Sequence, residues 1–121
     1  MIQLDTSAYL EFIKGTSKGE KVRRHCEEQE LCVSAVTANE IYAGEEDPCE
    51  LELLEHLRII PFGKEEARRA AEFERQLIKS GSKIPKLDTF IASTASCANA
   101  TLITTDRHFK NISKLHVILV E

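Results

Sequence analysis

The stretch DTFIASTASCANATLITTD, residues 88–106, shows most directly how this chain folds. Its first half has the periodicity of an amphipathic helix. Three apolar side chains share one helical face with residue 88: Ile91, Ala92 and Ala95. The next run, Thr101–Thr104, is short and apolar, which is typical of a buried strand. The stretch therefore predicts a helix over residues 88–98 and then a strand, with an aspartate at each end of the unit.

The same alternation of helices and strands extends along the whole chain. The predicted strands are Ile2–Leu4, Leu31–Ala35, Leu57–Phe62, Thr101–Thr104 and His116–Val120. The predicted helices are Thr6–Lys14, Ser17–Gln29, Thr37–Gly44, Pro48–His56, Lys64–Ser80 and Asp88–Ala98. Strands joined by helices favour a mainly parallel sheet, and continuous apolar runs indicate strands covered on both faces. We expect one α/β domain over residues 1–121, with three layers around a central, mainly parallel, five-stranded sheet.

Polar residues and glycine predict several helix ends. Ser17 and Glu20 have the spacing of a capping box at the start of the second helix. Asp47 before Pro48 is typical of an N-cap followed by proline at the first helical position. Gly81 is expected to end the longest helix, because glycine adopts the left-handed conformation that often follows a helix.

Length and composition are those of one globular domain. The chain has 121 residues, of which 30% are charged and 42% hydrophobic, a balance that excludes the disordered class. No apolar run approaches the roughly 20 residues that span a bilayer. Asp5 and Glu11 interrupt the apolar start of the chain, which argues against a signal peptide. We expect a cytoplasmic protein that does not associate with membranes.

The cysteines are expected to be reduced thiols in a reducing compartment. Cys26, Cys32, Cys49 and Cys97 form no Cys-x-x-Cys pair, and the four histidines show no helical i, i+4 pairing. These spacings disfavour a structural zinc site.

Charge is distributed unevenly along the chain. The net charge is −4, yet residues 75–121 contain seven Lys or Arg and only three Asp or Glu. A basic C-terminal part around isolated acids suits an anionic substrate, although solvated surface charge explains it equally well. Four basic residues are candidates for contacts to a nucleic-acid backbone: Lys83, Lys86, Arg107 and Lys110.

Two aspartates follow predicted strands at a similar offset, Asp5 after the first and Asp106 after the fourth. In parallel α/β folds, ligands bind beyond the carboxyl ends of the strands, so we expect both side chains at one edge of the sheet. An N-cap role for Asp5 and a turn role for Asp106 are the simpler alternatives. Neighbouring hydroxyl residues are candidates for supporting the site: Thr6, Ser7, Thr104 and Thr105.

Glu40 and Asp88 complete a set of four candidate carboxylates. Glu40 stands three residues after Thr37, so a capping box is its alternative explanation. Asp88 lies at the end of an apolar stripe and should be half-buried, which is costly unless the acid is paired, protonated or bound to a cation. Its alternative is an N-cap.

Converging carboxylates repel one another unless a cation neutralises them, and oxygen ligands select hard ions such as Mg²⁺ or Mn²⁺. Such ions bind phosphate oxygens and lower the pKa of water. The set Asp5, Glu40, Asp88 and Asp106 therefore predicts a metal-dependent hydrolase acting on phosphodiesters.

Four segments resemble those of the PIN-domain nucleases, and among these the VapC-like toxins of prokaryotic toxin–antitoxin pairs. The segments are Leu4–Ser7, Thr37–Gly44, Asp88–Ala95 and Leu102–Asp106. The resemblance covers essentially the whole chain. It implies a five-stranded parallel sheet, and Mg²⁺ or Mn²⁺ held by Asp5, Asp88 and Asp106, with Glu40 binding directly or through water. It further implies ribonuclease activity, homodimers and an inhibitory antitoxin protein.

The chain departs from this family pattern in two places. Many relatives carry a further acid two or three residues after the one matching Asp106, where this chain has His108 and Phe109. A second metal site is therefore in doubt. The stretch between Gly44 and Lys64 is also short for the family, which weakens the expectations about partners.

Three other classes of protein compete with the nuclease interpretation. A receiver domain needs an aspartate just after its third strand, and residues 57–63 supply none. A phosphatase of the haloacid-dehalogenase type needs a second acid two residues beyond its nucleophile, where Ser7 stands. A catalytically silent RNA-binding or scaffold module is the alternative from a different class. A metal titration distinguishes it from a metal-dependent nuclease.

Overall fold

The computed structural model describes residues 1–44 and 47–121. Its strands are β1 (Ile2–Leu4), β2 (Leu31–Ser34), β3 (Arg58–Ile60), β4 (Thr101–Thr104) and β5 (Val117–Leu119). Its helices are α1 (Thr6–Ile13), α2 (Ser17–Cys26), α3 (Ala35–Tyr42), α4 (Pro48–His56), α5 (Lys64–Ser80) and α6 (Lys86–Cys97). A short 3₁₀ helix, Arg107–Asn111, which the sequence analysis did not predict, connects β4 to β5.

The five strands form one parallel sheet in the order β3-β2-β1-β4-β5. The central strand β1 pairs with β2 on one side and with β4 on the other, so Ile2 lies between Leu31 and Thr101. The chain builds the sheet outwards from β1 in one direction and then in the other. The switch in strand order therefore falls between β1 and β4, and the predicted α/β fold with a mainly parallel sheet is confirmed.

Each face of the sheet is covered by its own apolar core. Leu4 and Ile103 pack with residues of α1, α2, α3 and α4. Leu102 points to the opposite face, because side chains alternate along a strand, and it packs with residues of α5 and α6. The buried Gln3 amide donates a hydrogen bond of 2.9 Å to the carbonyl of Ile91, which ties α6 to β1. The central strand thus sets the position of the helix that carries Asp88.

Two predicted N-caps were wrong by one to three residues. Thr16, and not Ser17, caps α2, because its hydroxyl accepts the Gly19 N–H. Ser34, and not Thr37, caps α3 by accepting the Thr37 N–H at 3.0 Å. Helix α2 ends at Cys26, before the predicted Gln29, because the backbone of Glu27 is no longer helical and Glu28 follows with a positive φ of 59°.

Two predicted helix ends are confirmed. Asp47 caps α4 through hydrogen bonds from the Cys49 and Glu50 N–H groups. Gly81 ends α5 with a φ of 72°, in the left-handed region that favours glycine. Among the described residues, no helix combines the length and apolar character needed to cross a membrane.

Candidate functional site

Asp5 follows β1 directly and is buried, with 3% of its surface exposed. Its Oδ1 accepts hydrogen bonds from the Ala8 N–H at 2.8 Å and the Ser7 hydroxyl at 2.7 Å. Its Oδ2 accepts one from the Thr104 hydroxyl. Asp5 is therefore the N-cap of α1. The cap uses only part of the hydrogen-bonding capacity of this carboxylate, which also lies at the edge of the sheet.

The pKa of Asp5 is raised to about 6, chiefly by burial and also by the charge of Asp106, against the lowering effect of the three hydrogen bonds. Two hydroxyls connect this carboxylate to the end of β4. Thr104 Oγ1 accepts the Asp106 N–H at 3.0 Å, and Ser7 Oγ accepts the Thr105 N–H at 3.0 Å. Thr104 and Ser7 thus support the site with their side chains, whereas Thr105 does so through its backbone.

Glu40 lies in the second half of α3 and is exposed. The capping-box explanation for this residue is wrong, because Ser34 caps the helix and Glu40 is six residues further on. Its Oε1 instead accepts a hydrogen bond of 2.6 Å from the Thr6 hydroxyl, at the start of α1. Thr6 therefore holds Glu40 at the edge of the sheet beside Asp5.

Asp88 lies in the first turn of α6, where Pro85 and not Asp88 occupies the N-cap position, so its N-cap alternative is wrong. Its side chain is 21% exposed, as expected for an acid at the end of an apolar stripe. Burial raises the pKa of Asp88, and the charges of Asp106 and Glu40 raise it further, whereas His108 lowers it.

Asp106 caps the 3₁₀ helix by accepting the His108 N–H at 2.9 Å. The imidazole Nδ1 of His108 lies 3.2 Å from Asp106 Oδ1 and 3.6 Å from Asp88 Oδ2. Each of these three side chains offers one ligand atom, and the three atoms all lie within 4.8 Å of one another. Of the four candidate acids, Asp5 and Glu40 stand outside this compact group. They remain connected to it electrostatically, because the charge of Asp106 raises the pKa of Asp5 and that of Glu40 raises the pKa of Asp88.

This donor set fits a divalent cation. Four carboxylates meet at one edge, two of them with raised pKa values, so the site concentrates negative charge that a cation would neutralise. Asp5, Glu40, Asp88 and Asp106 offer oxygen ligands of the kind that Mg²⁺ and Mn²⁺ prefer. His108 adds a nitrogen atom. In the sequence this histidine stands out only as the absence of a further acid, although its place two residues after Asp106 already pointed to the site.

Two of the four basic residues predicted to contact nucleic acid are paired with acids. Arg107 lies 2.9 Å from Glu121, and Lys86 lies 3.6 Å from Glu74. Lys83 lines a cleft between α5 and the start of α6 that also contains Glu74 and Lys86. Lys110 is exposed. Because these ion pairs are solvent-exposed, breaking one costs little free energy.

Fold and site together define a parallel α/β domain with an acidic cluster at its strand-order switch. The family model of the PIN domain matches residues 2–115. The chain therefore belongs to the PIN domain family, whose members are generally nucleases. The predicted membership of this family is confirmed. No curated protein sequence matches the chain.

Several solved structures share the fold. A chain of VapBC2 from Rickettsia felis, bound to a DNA fragment from its promoter, has a TM-score of 0.80 at 23% identity, with 100% of both chains covered. DNA-bound VapBC from Salmonella typhimurium gives 0.78 at 20% identity, covering 99% of this chain and 98% of that one. VapBC-1 from nontypeable Haemophilus influenzae gives 0.76 at 22%, covering 98% of each. The predicted likeness to VapC-like proteins holds at the level of the fold.

Proposed function

We propose that this chain is a metal-dependent endoribonuclease that uses Mg²⁺ or Mn²⁺. The observation that carries the proposal is the convergence of Asp5, Glu40, Asp88 and Asp106 at the strand-order switch of a PIN domain. Asp5, Asp88 and Asp106 would hold the ion, with Glu40 binding directly or through water. A bound divalent ion supplies an activated water and stabilises the charge that develops on the phosphate.

Neighbouring residues of the chain position the carboxylates. Ser7 and Thr104 orient Asp5 from two sides, so this carboxylate keeps one geometry. Thr6 holds Glu40 at the exposed rim, where its free oxygen can accept a hydrogen bond from the attacking water. Preorganised groups of this kind need little rearrangement during the reaction. We expect in-line hydrolysis that leaves a 5′-phosphate and a 3′-hydroxyl.

The substrate is proposed to be RNA, held through its phosphates by Lys83, Lys86, Arg107 and Lys110. Support comes from the basic balance of residues 75–121, which surround Asp88 and Asp106. Breaking the exposed pairs of Lys86 and Arg107 would free both cations for phosphate at little cost.

The biological role that we propose is that of the toxin of a toxin–antitoxin pair, acting in the cytoplasm. The neighbours from Rickettsia felis, Salmonella typhimurium and Haemophilus influenzae are VapBC structures. On this proposal the chain binds an antitoxin protein and forms a homodimer. Co-expression with the product of the adjacent open reading frame, followed by co-purification, tests the partner.

Cleavage of a panel of structured RNAs and matched DNAs, with Mg²⁺, Mn²⁺ or EDTA, tests the activity. We expect RNA cleavage with either ion and none in EDTA or in Asp106→Asn. Glu20→Gln is the matched control, because Glu20 is an exposed acid on α2 that pairs with Arg24. RNA binding without cleavage in any metal would identify a catalytically silent RNA-binding module instead. Cleavage of DNA but not of RNA would contradict the proposal that RNA is the substrate.

A further inference from the structure

His108 is fixed in the site by its neighbours on both sides. Asp106 caps the 3₁₀ helix that begins with Arg107, and Phe109 is buried, with 1% of its surface exposed. The histidine between these anchors is half-exposed, with 52% of its side chain accessible. The fold therefore presents the imidazole to the carboxylates on a short, well-anchored turn.

The distances around this imidazole are those of ligands that share one ion. Metal–ligand bonds of about 2.1 Å place adjacent octahedral ligands roughly 3.0 Å apart and opposite ones roughly 4.2 Å apart. Nδ1 of His108 lies 3.2 Å from Asp106 and 3.6 Å from Asp88, between these two limits. Small side-chain rotations would bring all three atoms onto a single cation.

We infer that Nδ1 of His108 is a direct ligand of the ion held by Asp88 and Asp106, so that the centre is a mixed nitrogen–oxygen site. This inference rests on the proposed metal site. Mn²⁺ and Mg²⁺ both take oxygen ligands, but Mn²⁺ begins the series of transition ions, such as Fe²⁺ and Ni²⁺, for which imidazole nitrogen is a suitable ligand. The site therefore favours Mn²⁺ over Mg²⁺ more strongly than four carboxylates alone would.

Pulsed electron paramagnetic resonance of the Mn²⁺-loaded protein tests the ligand directly, because a coordinated imidazole nitrogen modulates the electron-spin echo. We expect nitrogen modulation in the wild type and its loss in His108→Gln. The control is His25→Gln, which removes an exposed histidine at the end of α2, shortly before β2 begins at the opposite edge of the sheet. This control should keep the modulation.

Calorimetric titrations provide a second readout that does not depend on catalysis. We expect His108→Gln to weaken Mn²⁺ binding at least about tenfold, the lower end of the loss on removing even an outer-shell partner. Mg²⁺ binding should change much less. His108→Asp should reverse the preference by strengthening Mg²⁺ binding relative to Mn²⁺, because it replaces nitrogen with oxygen.

The outcomes separate this inference from the proposed function. Mn²⁺ binding without nitrogen modulation, or modulation that persists in His108→Gln, would overturn the histidine ligand and leave an oxygen-only metal site intact. Failure of the wild type to bind either ion would overturn both. Thermal melts of the metal-free variants check that each is folded, which the exposure of His108 leads us to expect.

Discussion

Asp5 and Asp88 lie at the same edge of the sheet, but their carboxylates have different surroundings. Asp5 is buried and accepts hydrogen bonds from the Ala8 N–H and from the Ser7 and Thr104 hydroxyls. These donors belong to α1 and β4, so one helical N–H and two side-chain hydroxyls set the orientation of this carboxylate. An ion is not needed to hold it.

Asp88 is half-buried and lies beside other charged groups. Burial raises its pKa most, the charges of Asp106 and Glu40 raise it further, and the half-exposed imidazole of His108 lies 3.6 Å away. A cation or a proton relieves repulsion between like charges. One half of the site is therefore preorganised by hydrogen bonds, whereas the other half would depend on a bound ion.

RNA cleavage should nevertheless need Asp5 and the acids around Asp88 equally. We expect Asp5→Asn, Asp88→Asn and Asp106→Asn each to lower the rate by roughly a hundredfold or more, on the scale of losing one preorganised electrostatic group. Single-turnover cleavage of RNA in Mn²⁺ measures the effect, with Glu20→Gln as the control. Full activity in Asp5→Asn or in Asp88→Asn would show that only the other half carries the chemistry.

The pH dependence of the free energy of unfolding should reveal the buried carboxylate of Asp5. The pKa of Asp5 is raised to about 6 by burial, so the folded metal-free protein binds more protons there than the unfolded chain. Its stabilising contribution is complete below the unfolded pKa near 4 and is lost as pH rises through about 6. The free energy of unfolding should fall by roughly 3 kcal/mol from this group alone.

Urea denaturation of the wild type and Asp5→Asn between pH 4 and pH 7.5, in EDTA, measures that contribution. The two stability curves should converge or cross as pH rises, because the variant carries no charge at this position. Saturating Mg²⁺ should restore stability to the wild type at neutral pH, since a ligand of the native state stabilises it. Parallel curves would mean that Asp5 is ionised at little cost, and the contrast with Asp88 would disappear.

The half of the site around Asp88 should gain stability when its acid is removed. We expect Asp88→Asn to stabilise the metal-free protein near neutral pH by on the order of 1–2 kcal/mol, because it removes a charge that is disfavoured by burial and by repulsion from Asp106 and Glu40. The same variant should lose the stabilisation that Mg²⁺ gives the wild type. Thermal melts with and without Mg²⁺ measure both effects. A metal-free variant that melts below the wild type would identify Asp88 as chiefly structural.

The smallest expected effect concerns the basic residues around this edge. Replacing exposed Lys110 with Ala should lower the salt slope of RNA binding by about one released counterion. Arg107→Ala should lower it less, because Arg107 already pairs with Glu121 at 2.9 Å. Filter binding with an Asp106→Asn background between 50 and 200 mM salt, roughly the range over which such slopes are resolved, measures the difference. Equal salt slopes in both variants and in the parent would show that RNA binds to another surface of the protein.

The sequence predicted most of the fold because its strongest signals are local. Apolar runs located all five strands, and the Asp47-Pro48 pair and Gly81 marked helix ends correctly. The capping errors at Ser17 and Thr37 have a common cause. Each follows another hydroxyl residue that can serve as the cap, Thr16 directly before Ser17 and Ser34 three residues before Thr37, and spacing alone does not decide between them.

The candidate site was predictable only in outline. The strand ends predicted that Asp5 and Asp106 share an edge, but the hydrogen bond from Thr6 to Glu40 spans 34 positions and has no local signature. The approach of His108 to Asp88 depends on an unpredicted 3₁₀ helix. Contacts between distant segments set the geometry of the donors, and those contacts become visible only in three dimensions.

The pairing of β1 with β4 has a consequence for protein synthesis. Ile2 aligns with Thr101, and Thr104 completes the hydrogen bonds of Asp5 across 99 positions. A ribosome must therefore translate the 99 positions from Asp5 to Thr104 before these hydrogen bonds can form. Until then the carboxylates encoded first have no partners from β4, and the acidic site of the nascent chain is not assembled.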